Sequence, residues 1–184
     1  MPRGLTRPAP ALADDAIRLD PLAEAHAPEF AWVLEGDADT ARFTLIPSRP
    51  DRGFVKTWLG RYERGWDNGS CAGFAVRDGA TGVVIGFAAF VQLDLDKRQG
   101  EIGYVVAEAA RGRGAAGRAV DLLTAWGFGA LRLDRIELRI DPANAASARV
   151  AERSGYRLEG VLRSMYFKEG LRSDVGVWAR LAGD

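Results

Sequence analysis

Thiols and imidazoles are nearly missing from this chain: Cys71 and His26 are the only cysteine and histidine in 184 residues. A lone cysteine closes no intrachain disulfide and suits a reducing compartment. One thiol and one imidazole cannot build the usual Cys/His zinc site, so no metal centre is expected. A Cys–His nucleophile would have to recruit His26 from a stretch of alanines, which is a weak basis for covalent catalysis. Lysine is scarce as well. Lys56, Lys97 and Lys168 are all there is, and arginine supplies 22 of the 25 basic residues, which reads as coding bias. Excess charge is absent, since 25 acidic residues balance the 25 basic ones. That removes a general electrostatic pull toward nucleic acid, though a local basic patch remains open. No apolar run approaches the roughly 20 residues of a membrane-spanning helix. Residues 1–13 carry Arg3, Arg7 and several prolines but no apolar signal core, and read as a disordered leader. A cytoplasmic location is the expectation.

Hydrophobic residues make up 47% and charged residues 27% of the chain, ordinary values for a globular domain, and residues 14–184 are expected to form a single one. Ala16–Leu19 alternates as a strand. Leu22–Leu34 follows with helical spacing, interrupted by Pro28. Residues 37–50 look irregular. Asp51 is a good N-cap for a helix to about Trp66, with Phe54, Val55, Trp58, Leu59 and Tyr62 as its apolar stripe. Ala72–Arg77 and Val83–Leu93 read as a hairpin around Asp78–Gly82. Glu101–Val106 is a strand, about 115–131 a helix, Arg135–Ile140 a strand and 144–154 a helix with Gly155 at its end. Two strands around Lys168–Gly170 close the chain. The order is β-α-α-β-β-β-α-β-α-β-β.

The chemistry concentrates in Glu101–Ala119, where a strand runs into a glycine- and arginine-rich turn and then a helix. Backbone N–H groups at such a turn suit a phosphate-bearing ligand. Gly112, Gly114 and Gly117 match the dinucleotide pattern G-x-G-x-x-G, and Glu137 lies about 20 residues beyond Gly117. The context argues against that match. Five residues, Ala107 to Arg111, separate the strand from Gly112, whereas a dinucleotide turn follows its strand at once. Glu137 falls in mid-strand, and the preceding strands are hairpin-linked.

Arg111, Gly114 and Ala116 also fit R-x-x-G-x-A. Downstream stands D-P-A-N-A-A-S-A-R-V-A-E-R-S-G-Y-R-L-E-G-V-L-R, with Asn144, Ser147, Ser154-Gly155-Tyr156 and Glu159-Gly160. Together these stretches resemble the GNAT N-acetyltransferases, and within them the Rim-type ribosomal-protein N-terminal acetyltransferases. The resemblance is carried by motifs over about residues 100–180 and by element order before that. It implies a GNAT fold of mixed α/β (α+β) class. That fold has a twisted, mostly antiparallel sheet of about seven strands flanked by about four helices. The cofactor cleft lies between the fourth and fifth strands.

The resemblance further implies acetyl-CoA as acyl donor and direct attack by a primary amine. That amine would be a protein or peptide N-terminus for the Rim type. A small amine such as an amino acid, polyamine or antibiotic is the alternative within the class, and a non-catalytic acyl-CoA sensor is the alternative outside it. A homodimer is left open. The expected cofactor-binding residues are Tyr104, Val105, Val106, Arg111, Gly112, Arg113, Gly114, Ala115, Ala116, Asn144 and Ser147. Amides of 111–116 would hold the pyrophosphate, and the edge of Glu101–Val106 would pair with the pantetheine arm. A backbone N–H near Val105 or Val106 would face the thioester oxygen. Many GNAT enzymes use a tyrosine to protonate the leaving thiolate. Its place here is about Ala151, and Ser147 takes that role in the Rim type. Glu101 is the first candidate for the base that frees the amine. Asn144 reads equally as a helix N-cap and Ser147 as an ordinary helix hydroxyl. Arg42, Phe43, Trp58, Glu101 and Tyr166 are the expected acceptor-site residues.

Overall fold

The computed structural model describes residues 4–34 and 38–184. Its strands are β1 (Leu12–Ala13), β2 (Ile17–Pro21), β3 (Ala72–Asp78), β4 (Val84–Asp94), β5 (Gln99–Val106), β6 (Arg135–Ile140), β7 (Arg157–Lys168) and β8 (Leu171–Leu181). Its helices are α1 (Ala27–Leu34), α2 (Ala38–Phe43), α3 (Arg52–Asn68), α4 (Ala115–Gly129) and α5 (Ala145–Arg153). All eight strands join one sheet in the order β1-β2-β3-β4-β5-β6-β8-β7.

Local chemistry explains the element ends. Asp51 caps α3 by accepting from the Phe54 N–H at 2.7 Å, and Gly69 closes it in the left-handed conformation. Asn144 caps α5 through the Ser147 N–H at 3.0 Å. The pairs β2–β3, β3–β4 and β4–β5 are antiparallel, the last two as hairpins. β5 and β6 pair in parallel, which the crossover through α4 permits and a short hairpin turn would not.

The sheet separates two apolar cores. One gathers Phe74, Phe90, Ile102, Leu123, Trp126 and Ile136 under α4 and α5, with Trp66 from the end of α3. The other packs Phe30 of α1 and Leu59 and Tyr62 of α3 on Phe87 and Ala89 of β4. Where α4 crosses β4, a Cβ on Gly127 would stand 2.7 Å from the Phe90 ring, so only glycine lets the helix seat that closely.

Four features differ from the sequence-based expectation. The strand count is eight because Leu12–Ala13 adds a short pairing to β2. Ordered contacts also reach into the stretch expected to be a leader: Leu5 donates its N–H to the Trp66 carbonyl at 2.7 Å, and the Arg7 guanidinium lies over the Trp66 ring. Residues 1–3 of that stretch lie outside the description. Pro28 does not split a long helix. A 3-10 turn at Glu24–His26 precedes α1, which begins at Ala27, so Pro28 occupies its first turn, where no N–H is needed. The stretch from 37 to 50, expected to be irregular, contains α2.

Candidate active site

β5 and β6 stay paired only from Gln99↔Arg135 to Ile102↔Leu138. Beyond that point the strands part, and the β5 edge facing β6 is left open. The Ala107 N–H bonds to the Ile85 carbonyl on β4 at 2.9 Å. Backbone polar groups alternate sides along a strand, so Val105 and Gly103 also face β4, while Val106 and Tyr104 point their N–H groups into the gap. The opened edge therefore offers Tyr104 and Val106, and not Val105, as its backbone donors. The gap is the cleft expected between the fourth and fifth strands. Counting the extra β1 makes these β5 and β6.

Two cavities meet at this gap. One, of about 500 Å³, lies between α3, β4, β5 and the hairpin strand β7. The other, of about 320 Å³, runs along the glycine turn between α4 and α5. Phe43, Thr44, Tyr104, Val105, Asn144 and Ser147 line both and mark where they join.

The smaller cavity is built on backbone. Gly112 has φ +78° and Gly114 φ +83°, in the left-handed region that glycine enters freely, and a Cβ on either would meet nothing within 4 Å. Gly114 is also the N-cap of α4, with no side chain capping the first amides of the helix. The result is an open cradle of N–H groups at the positive end of a helix. Arg111 braces it by donating from Nε to the Val106 carbonyl at 3.0 Å and from Nη2 to the Thr40 hydroxyl at 3.2 Å, with Asp39 3.6 Å away. Burial pulls the Arg111 guanidinium below its ordinary range.

The larger cavity holds an acid. Glu101 stands directly across from Glu137 in the parallel register. Arg139 bridges the two carboxylates, 3.3 Å from Glu101 and 3.4 Å from Glu137. Burial pushes the Glu101 carboxyl up and Glu137 adds to the rise, while Arg139 and Arg61 oppose it, leaving it above its usual range. The Tyr166 phenol from β7 lines the same cavity and is pushed up to about 12 by burial and by the charge of Glu101. At the junction, burial raises Tyr104. Its hydroxyl makes no well-formed hydrogen bond among the described residues, although Ser147 is near enough to temper the rise.

The hairpin tip holds the cavity mouth. Lys168 donates to the carbonyls of Ala41 and, at 3.0 Å, Thr44, at the C-terminal end of α2. Glu169 accepts from the Ser48 N–H at 3.1 Å and its hydroxyl at 2.6 Å.

Most residues singled out in the sequence come together here. Tyr104, Val105, Val106, Arg111, Gly112, Gly114, Ala115, Ala116, Asn144 and Ser147 line the glycine-turn cavity. Phe43, Trp58, Glu101 and Tyr166 line the larger one. Two expected residues line neither. Arg113 is exposed, and its charge is one of the smaller influences that hold the Asp78 carboxyl low. Arg42 is exposed and stacks on Phe43, 4.8 Å from the ring centroid. Sequence reasoning missed Arg139 and Lys168. Arg135, Glu137 and Arg139 share a strand face by period two, but only the β5–β6 register reveals that Glu101 joins them. Among the described residues no group of three or more His, Cys, Asp or Glu could hold a metal ion, and no helix is long and apolar enough to cross a membrane.

The family model for the acetyltransferase (GNAT) domain matches residues 16–157. YdaF of Bacillus subtilis, named as a candidate ribosomal N-acetyltransferase, is 31% identical over 78% of this chain and 70% of its own. The uncharacterized N-acetyltransferase p20 of Bacillus licheniformis is 34% identical over 55% of this chain and 57% of its own. The chain spans about half the length of several such curated relatives. A GNAT-family structure from Chromobacterium violaceum superposes with a TM-score of 0.84 at 28% identity, covering 98% of this chain and 91% of that one. RimL, a ribosomal L7/L12 N-acetyltransferase solved with coenzyme A, superposes at 0.83 over 91% of this chain and 95% of its own. At 18% identity that second likeness speaks to the fold alone.

Proposed function

The chain belongs to the GNAT acetyltransferase family, and from that premise we propose that it transfers an acetyl group from acetyl-CoA to the amino terminus of a protein or peptide. The observation that carries the proposal is the meeting of two unlike cavities at one open strand edge. One is a backbone cradle suited to phosphate, and the other contains a buried carboxylate suited to an amine. The cradle fits the proposed donor because its glycines leave room at their Cβ positions and the first amides of α4 carry no side-chain cap. Acetyl-CoA, when bound, supplies an acyl group already activated as a thioester.

Each residue then has a task. The amides of 112–116 and Arg111 hold the pyrophosphate. The outward N–H groups of Tyr104 and Val106 pair with the extended arm as a neighbouring strand would. The Val106 N–H is also placed to donate to an oxygen gathering negative charge, an interaction whose removal typically costs about 3 kcal/mol of barrier. Glu101 accepts the proton of the incoming ammonium, and Arg139 keeps it ionised against burial. Ser147, at the junction, is the donor to the departing sulfur, with Tyr104 beside it. The peptide reading is supported by relatives named for ribosomal proteins, such as the ribosomal-protein-serine acetyltransferase of Escherichia coli, 33% identical over 53% of this chain and 55% of its own.

Calorimetry with acetyl-CoA and thiol release with a panel of peptides and small amines test the proposal. Turnover with peptides is the expected result. Turnover confined to small amines favours the alternative acceptor class, and binding without turnover across the panel favours a sensor. Gly114→Glu places a carboxylate in the cradle, at about 1–2 kcal/mol of backbone strain. It should fold and lose acetyl-CoA affinity by tenfold or more.

A further inference from the structure

The larger cavity is divided by chemistry. Glu101, Arg139 and Tyr166 stand on the β5, β6 and β7 side. The opposite wall is largely apolar and comes from three separate segments: Phe43 at the end of α2 with Leu45 just beyond it, Phe54 and Trp58 on α3, and Val91 on β4, with Arg61 of α3 as its charged member. Core packing accounts for Tyr62 and Phe87, which are 2% and 4% exposed. Phe54, Trp58 and Val91 pack against that core as well, but it leaves part of each uncovered. Phe43, Phe54, Trp58 and Val91 are only partly buried, and Leu45 is 61% exposed. Trp58 is braced by Phe30, Tyr62 and Phe87, with ring centroids 4.4 to 5.9 Å away, so its free face is held in place facing the cavity. Rigid apolar surface left wet beside a buried carboxylate is what an amine with an apolar substituent would cover.

We infer that the first residue of the acceptor peptide carries a large apolar side chain, aromatic or branched aliphatic, which fills this wall while its amino group reaches Glu101. The inference rests on the peptide reading above and names the acceptor within it. The volume of about 500 Å³ accommodates such a side chain together with the first peptide unit. A serine, alanine or aspartate at that position leaves the wall wet, and aspartate adds a further carboxylate to the pair Glu101 and Glu137.

The test is thiol release from acetyl-CoA with peptides that differ only in their first residue: Phe, Leu, Met, Ser, Ala and Asp. The expected result is a kcat/KM for Phe or Leu above that for Ser or Ala by about ten- to a hundredfold, with Asp poorest. Trp58→Ala should bring the Phe-to-Ser ratio toward one. Because Trp58 also packs on Phe30 and Phe87, Leu45→Asp provides a second variant at an exposed position, and it should shrink the ratio in the same direction. Equal rates across the panel, or a preference for Ser, Ala or Asp, overturn the inference and leave the peptide reading standing. Turnover of small amines with none for any peptide overturns the peptide reading, and the inference with it. A Phe-to-Ser ratio unchanged in both folded variants removes the wall as its cause.

Discussion

Burial and a neighbouring carboxylate push Glu101 the same way, and Arg139 holds the rise in check. A base must be ionised to act, so the acid limb of the rate profile should lie above the ordinary carboxylate range. Arg139→Ala removes a lowering influence and should move that limb to still higher pH, read from kcat/KM against pH with a peptide acceptor. Glu101→Gln should lower kcat by about a hundredfold or more. The stability sign is opposite. A carboxyl whose folded pKa is raised stabilises the fold below its unfolded pKa, and that contribution disappears as pH rises through the folded value. At neutral pH Glu101 is therefore a cost, and Glu101→Gln should keep or raise the melting temperature while activity falls. A joint loss of both would assign Glu101 a structural role. The identity of this residue was legible at the head of a strand. Its partner Arg139 was not, because β5 and β6 are joined through α4 and their register is set only when they pair.

Among the elements, the β7–β8 hairpin reaches furthest from its own sequence neighbourhood. Its tip fastens α2 through Lys168 and the following loop through Glu169. Lys168 satisfies carbonyls at a helix C-terminus, where a cation is favoured. Burial pulls its ammonium below the ordinary lysine range. α2 and its loop supply Phe43, Leu45 and Ile46 to the larger cavity, so the hairpin tip, whose Lys168 and Glu169 lie outside that lining, positions the wall from behind. Lys168→Ala should raise the acceptor KM several-fold while acetyl-CoA affinity, measured by calorimetry, stays within about twofold. A matching loss of both would mean that the tip supports the whole fold. Seven of the eight strands, their succession along the chain and the long helices were readable from period and capping residues. α2 was not, because a six-residue helix has too few turns to show a period and is held by contacts from residues more than 120 positions away.

Across the whole molecule, one arginine ties the β2–β3 pair to the first helix. Arg77 of β3 bonds Asp20 of β2 at 2.7 Å and Glu29 of α1 at 2.7 and 3.1 Å. Burial alone would raise Asp20, but hydrogen bonds and charge from Arg18 and Arg77 hold it below its usual range. Glu29 is held low chiefly by Arg77. Carboxyls lowered in the fold add stability above their unfolded pKa and lose it as pH falls through the folded value. Arg77→Met should therefore cost about 1–2 kcal/mol by urea denaturation at pH 7, and much less at an acid pH below the lowered folded values, where both carboxyls are protonated. An equal cost at both pH values would point to packing of the arginine stem instead.

The sequence by itself determined the order and kind of most elements, the single glycine turn and the family. The elements and the turn rest on local rules, side-chain period, capping and the φ angles that glycine tolerates, and the family rests on the resemblance of two motifs. It also marked Glu101, Ser147 and the turn residues, since each lies within or beside a motif. The tertiary structure decided everything that depends on register and crossing. It opened the β5 edge beyond Ile102, chose Val106 and Tyr104 over Val105 as outward donors, and left Arg113 and Arg42 outside the cavity linings. It also set Arg139 between two carboxylates and left an apolar wall wet beside them. Those facts join residues far apart in the chain, and no local spacing encodes which face of one strand meets which face of another.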